Sequence, residues 1–354
     1  MKTNLLIQDT DFIINGTPTY VGRIWNGNRI EGLLFNSRCI QAIFDDSNPD
    51  TRPHWNYPDT GVWDAERNTD EFCAALPVYR RHGLLGVTIG MQGGGSIYTD
   101  EIYEAYHAST FREDGSLEPA WLRRLDRVLK AADDCGMVVI VSYFYWMHAR
   151  RLADEKAVAR GVKDLTEYLS NSGYKNLIIE IGNEMELFKR IPHRNLHPDR
   201  VHELIQLAQE VCERKILVTA SSIGAAENPF GPWLENVDIH TLHGNGLTPA
   251  ELTEKLERFK AQPEVIDRPI PIIINEDSIY TGNMDAALAA GVSWGYYSQG
   301  NGADYKDLTD WTAPRESSYE ALSGFQTLPV NWSINTKEKK NFFNHVAEVT
   351  GSVQ

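Results

Sequence analysis

The chain has 354 residues, 42% of them hydrophobic and 10% aromatic, and its 34 Lys and Arg against 49 Asp and Glu give a net charge of −15. The longest apolar runs, such as Met137 to Ser142 and Ile270 to Ile274, fall far short of the roughly 20 residues of a membrane-spanning helix. An acidic chain without a lysine or arginine tract also makes a poor partner for nucleic acid, whose binding rests on phosphate neutralisation.

From the N-terminus, Met1 to Asp9 holds an apolar stretch too short for a signal-peptide core. The expected location is therefore cytoplasmic, or periplasmic or secreted where a leader has been removed. Asp11 to Tyr20 reads as a hairpin, with apolar residues on either side of an Asn15-Gly16 turn. Strands are then expected near Gly32 to Phe35, Gly86 to Met91, Met137 to Tyr143, Leu177 to Ile181, Ile216 to Ala220, Val237 to Leu242, Ile270 to Ile274 and Val292 to Tyr296. Helical periodicity fills the intervals over Asp70 to Arg81, Pro119 to Cys135, Asp154 to Ser172, Asp199 to Arg214, Pro249 to Gln262 and Met284 to Ala290. A further helix is expected over Ser317 to Gln326 and one more near Thr336 to Val349.

Runs such as Val138-Val139-Ile140-Val141 suit strands buried on both faces, and the alternation with helices is that of α/β architecture. Eight such strands fit a single closed (β/α)₈ barrel over residues 31–326, with a hairpin cap over 1–30 and an extension over 327–354. No Gly-x-Gly-x-x-Gly follows the first strand, which disfavours a dinucleotide fold. Gly93-Gly94-Gly95 lacks a following lysine or helix start and reads as a flexible loop. The cysteines at 39, 73, 135 and 212 match no zinc or redox spacing and are expected to be free, buried thiols.

Barrel chemistry stands at the C-terminal ends of the strands. There the fourth strand ends in Glu180-Ile181-Gly182-Asn183-Glu184 and the seventh in Asn275-Glu276-Asp277. Two carboxylates facing each other are the minimum equipment for cleaving a glycosidic bond, one as acid and the other as nucleophile or base. Glu180, in mid-strand, reads as a structural acid inside the barrel.

These segments resemble clan A glycoside hydrolases, the retaining (β/α)₈ enzymes that include family 5 cellulases and mannanases. Glu180 to Glu184 is similar to their fourth-strand motif, Pro271 to Glu276 to the seventh, and Val237-Asp238-Ile239-His240-Thr241-Leu242-His243 to the sixth. The resemblance implies Glu184 as acid/base, Glu276 as nucleophile, Asn183 as a 2-hydroxyl contact and His243 as an active-site histidine. It implies retaining hydrolysis of a carbohydrate, with no cofactor or metal.

Three departures stand out. The second strand, Thr88 to Gln92, lacks the family's arginine, and Arg38 after strand one is the candidate replacement. Asn245 stands where a tyrosine often follows the sixth-strand histidine, leaving Tyr280 or Tyr296 to supply a phenol. On strand eight the sugar platform falls to Trp294 or Tyr297. Gln92, Tyr145 and His148 complete the expected substrate contacts, and Trp55, Trp63, Trp146 and Trp311 are further candidates for lining the cleft. The alternatives are a glycan-binding barrel without catalysis and a metal-dependent hydrolase. Strand one has no His-x-His for the latter, and His193 and His197 are flanked by prolines.

Overall fold

A computed structural model of the chain describes residues 1–95, 102, 104–224, 228–300 and 316–352. Eight strands run around a ring: β1 (Asn36–Arg38), β2 (Gly86–Gly90), β3 (Val138–Tyr145), β4 (Leu177–Asn183), β5 (Leu217–Thr219), β6 (His240–His243), β7 (Ile272–Glu276) and β8 (Gly295–Tyr296). Parallel pairings join β5, β4, β3, β2, β1 and β8 in that order. Ser221–Ser222 carries β5 onward to pair with β6, which pairs with β7. An Ile273–Ser293 bridge, with the Ile274 N–H donating to the Ser293 carbonyl at 2.8 Å, links β7 to the approach of β8 and closes the barrel.

The strands read as apolar runs because both faces are covered. Val138 and Ile140 turn into the barrel, whereas Val139, Val141 and Tyr143 pack under the outer helices. Those helices are α1 (Ala65–Arg81), α2 (Pro119–Cys135), α3 (Glu155–Ser172), α4 (Val201–Val211), α5 (Pro232–Asn236), α6 (Pro249–Lys260), α7 (Thr281–Ala289) and α8 (Lys337–Thr350). Asp64 caps α1 by accepting the Glu66 and Arg67 N–H groups, and Thr248 with Glu251 forms a reciprocal capping box on α6.

Several local expectations give way to tertiary contacts. The first strand forms at Asn36–Arg38 rather than Gly32 to Phe35, since the Leu34 N–H is bonded to Ser293 Oγ instead of a neighbouring strand. The helix expected over Ser317 to Gln326 is only a turn at Tyr319–Ala321. Beyond it Gly324 takes φ +68, and the Phe325 and Gln326 N–H groups both donate to the Ser298 carbonyl, drawing the chain back to the end of β8. The glycine run is a packed crossing rather than a loose loop: a Cβ on Gly93 would lie 2.6 Å from the Phe44 ring, and one on Gly94 2.5 Å from Ile40. All four cysteines are free, but Cys73 and Cys135 are only half-buried. Among the described residues no helix is long and apolar enough to cross a membrane.

The N-terminal hairpin, Asp11–Ile14 with Thr17–Pro18, gains an additional strand, Leu5–Gln8. Leu5 and Phe12 join Leu34, Leu85, Val138, Ile140, Ile178, Ile239 and Ile273 in one apolar cluster. These are residues from the beginnings of the strands, so the hairpin plugs the N-terminal mouth, opposite the end that carries Glu184 and Glu276. Phe12 is 1% exposed. Phe12→Ala should therefore lower the unfolding free energy by about 3–5 kcal/mol, measured by denaturant titration.

Candidate active site

The barrel interior changes from apolar to polar along its axis. Above the apolar cluster, Glu180 is fully buried and accepts the Asn275 amide at 2.9 Å. Arg38, at the end of β1 and 2% exposed, rises beside it with Nη1 4.0 Å from Glu180 Oε2. Its Nε lies 2.5 Å from Glu276 Oε2, and its Nη2 donates to Asn183 Oδ1 at 2.8 Å. One guanidinium thus ties together the ends of β1, β4 and β7.

Two backbone irregularities aim the carboxylates. The β6–β7 register slips by a residue between Leu242 and His243, placing His243 opposite Glu276. Glu184, the residue after β4, takes the left-handed conformation at φ 56, ψ 65, uncommon for a side chain with a Cβ. Its N–H is held by Ser221 Oγ at 3.2 Å. The resulting constellation has His243 Nδ1 3.2 Å from Glu184 Oε1 and 3.7 Å from Glu276 Oε2. Asn245 donates to the other Glu276 oxygen at 2.9 Å. An oxygen of Glu184, an oxygen of Glu276 and a His243 nitrogen all lie within 4.8 Å of one another.

These environments separate the proton affinities. Burial, reinforced by the Glu180 charge, pushes Glu184 up to about 7, against the pull of Arg38, Lys255 and Arg190. Burial also raises Glu276, and there Arg38 and His243 oppose it. His243 is driven down to about 4 by burial and is neutral at pH 7. Asp277, next to the strand end, is raised to about 7 by burial even though Asn283 and Trp294 donate to it. The Glu184–His243–Glu276 trio has the donor atoms of a cation site. Arg38 already sets a positive charge against Glu276 Oε2 there.

Arg38, Asn183, Glu184, His243 and Glu276 thus form one cluster. Tyr297, one of the two strand-eight candidates, has its phenol close enough to act on the Arg38 charge. The other sequence-selected residues are outside this bonded cluster, although Tyr145 pairs with Asn183 in the β3–β4 register. Trp294 is fully buried on the outer face of the barrel, 6.0 Å from the Phe342 ring and donating its indole N–H to Asp277. Tyr296 stacks on the same Phe342 at 4.3 Å, so it provides no phenol for Glu276. Tyr280 is 44% exposed, and it is the Asn245 amide that occupies the position beside Glu276. Gln92 is spent on structure: its carbonyl accepts the Tyr145 N–H and its amide donates to Ser109. That contact fixes Tyr145 at the end of β3, half-buried. His148 is 1% exposed, packs edge-on to Tyr106, and is kept neutral by burial. Trp55 and Trp63 are buried against Phe44, their indole N–H groups donating to Asp46 and Asp45, so the long first loop spends both in its own core. Trp146, half-buried after β3, lies under the Arg190 guanidinium. Trp311 lies outside the described residues.

No protein-family model matches the chain, and no curated protein sequence does either. Solved structures do resemble it. A GH113 β-1,4-mannanase shares 11% identity over 89% of this chain and 98% of its own, with a TM-score of 0.53. A GH5-4 broad-specificity endoglucanase from Clostridium longisporum shares 12% over 91% and 96%, at 0.54. A GH5 mannosidase from Rhizomucor miehei shares 11% over 99% of both chains, at 0.53. The fold is the (β/α)₈ barrel it shares with these structures.

If Arg38 is the charge that restrains Glu276, removing it should free the effect of burial. In Arg38→Met the Glu276 titration should move further upward by about 1–3 pH units, read by ¹³C NMR of labelled glutamate carboxyls. Arg38→Lys should show a smaller rise.

Proposed function

We propose that the protein is a retaining glycoside hydrolase acting on a carbohydrate, with Glu276 as nucleophile and Glu184 as acid/base. The observation that carries this reading is the close approach of the two glutamates: a pair of their oxygens lies within 4.8 Å. So close an approach favours the roughly 5–5.5 Å carboxyl separation of double displacement over the roughly 6.5–9.5 Å of an inverting site. The likeness in fold to GH5 and GH113 enzymes supports the same class of reaction.

In the first step a Glu276 oxygen attacks the anomeric carbon while the bond to the leaving oxygen breaks, and Glu184 delivers its proton to that oxygen. In the second, water attacks the anomeric carbon, Glu184 takes the water proton, and the ester bond to Glu276 breaks. Arg38 and Asn245 hold the nucleophile by one oxygen each, so its attacking geometry is set before substrate arrives. Asn183 Nδ2 is the group left to meet a sugar hydroxyl, since its Oδ1 is committed to Arg38.

The binding-only alternative drew on the absent second-strand arginine and on Asn245. Arg38 and Asn245 both contact Glu276, which supplies the two supports that reading took to be lost. The guanidinium against Glu276 weighs against the metal-dependent alternative, since it already neutralises that carboxylate.

A panel of fluorinated activated glycosides should trap a glycosyl ester that peptide mass mapping places on Glu276. An adduct on another residue, or a Glu276→Gln variant that turns over substrate like the parent, would overturn the assignment. Glu184→Gln should lose roughly 10²–10⁴-fold in rate on substrates with poor leaving groups. Activity requires Glu276 ionised and Glu184 protonated. The rate should therefore fall with rising pH around a midpoint near 7. It should also fall with decreasing pH around a midpoint above the ordinary glutamate value.

A further inference from the structure

Lysine 255 lies on α6, outside the ring of strands, yet it is only 3% exposed. Its ammonium donates to the Ile223 carbonyl at 3.0 Å and the Gly224 carbonyl at 2.6 Å, both in the segment that follows β5. That segment touches the two halves of the candidate site. Ser221 Oγ receives the Glu184 N–H, and the Ile223 N–H donates to Glu186 Oε2 at 3.0 Å, two residues beyond the acid. Gly224 lies so close to Asn245 that a Cβ would come within 2.3 Å of the Asn245 carbonyl oxygen, and Asn245 is the residue bonded to Glu276.

We propose that Lys255 is a positioning residue: its ammonium clamps the Ser221–Gly224 turn against Glu184 and Asn245 and brings a positive charge within electrostatic range of the acid. A left-handed glutamate persists only where its surroundings over-determine it, and the Ser221 hydroxyl on its N–H is one such restraint. The buried ammonium anchors the turn that carries that hydroxyl. The lysine is itself poised, since burial lowers it to about 8. The charged groups acting on it are Glu186 after β4, Arg258 on its own helix, Glu184 and Asp277. Those acting on Glu184 are Arg38, Glu180, Lys255 and Arg190, with His243 and Glu276 in contact or close by. Among them Lys255 favours the ionised carboxylate, so losing its charge makes Glu184 hold its proton more tightly.

The inference rests on Glu184 as acid/base only for its catalytic consequence, and its first test needs no substrate. ¹³C-labelled glutamate in the intact chain, with the Glu184 signal assigned by Glu184→Gln, gives that carboxyl's titration directly. Lys255→Met should raise the Glu184 midpoint by roughly half a pH unit or more, whereas Lys255→Arg, which keeps the charge, should leave it near the parent value. In the unsubstituted protein the same signal should show a second inflection near pH 8, where the lysine loses its proton. That arm does not depend on any variant folding. On any glycoside the parent hydrolyses, Lys255→Met should lower kcat by about tenfold or more with little change in KM, and Lys255→Arg should restore most of it. A missing second inflection, an unmoved midpoint in a folded Lys255→Met, or an equal shift in both variants overturns the proposal. A shifted midpoint in a protein that cleaves no glycan would leave the clamp standing and count against the hydrolase reading instead.

Discussion

A single buried guanidinium governs the upper half of the barrel. Glu180, Glu184 and Glu276 crowd one end of the interior with Asp277 buried just outside it, and Arg38 pairs with Glu276 at 2.5 Å while standing 4.0 Å from Glu180. Desolvating so many carboxyl groups is unfavourable unless charge is paired or protons are retained. Both solutions are in use. Glu276 has the cation, and Glu184 and Asp277 are pushed by burial to about 7. The difference in environment between two chemically identical side chains follows from which one the arginine touches.

Where Arg38 sits also explains how the site holds together without the second-strand arginine of the family it resembles. The end of β1 neighbours β8 as well as β2, and β8 follows β7 around the ring. A long side chain from that end can cross the mouth to reach β7 at Glu276 and β4 at Asn183. Packing at the closure is correspondingly tight: a Cβ on Gly295 would fall 2.4 Å from Asn36 Oδ1. Asn36 uses its amide to bond the Ile274 and Trp294 carbonyls there. The arginine's support and the barrel's closure are therefore one piece of construction.

Most of the strand and helix order was legible because buried strands and amphipathic helices differ in period, and α2 keeps its expected limits of Pro119 and Cys135. What failed was local reading where partners come from far away. Gly32 to Phe35 has strand-forming residues, but Ser293 takes the Leu34 N–H. The hairpin at Asp11 was readable as a hairpin, whereas the mouth it plugs depends on where Leu5 and Phe12 find apolar partners. Strand eight could have been read more sharply. Alternate residues share a face, so Trp294 and Tyr296 both point outward to Phe342. Tyr297 belongs with Ser293 on the inner face, where its phenol comes within electrostatic range of Arg38. Lys255 carried no such signal, because its partners are backbone carbonyls 31 and 32 positions away.

Asn245 shows what a change of chemical group does at a fixed position. A phenol beside a buried nucleophile is itself titratable, and its acidity responds to burial and to neighbouring charge. An amide has no proton to lose over the accessible pH range, so the donor on Glu276 Oε1 is the same in every state of the site. Arg38 is likewise permanently charged. Glu276 thus rests on two supports that do not titrate, while Glu184 rests on a turn held by Lys255, which does. The asymmetry suits the proposed double displacement, in which Glu276 attacks as a carboxylate and Glu184 must give up a proton and take it back.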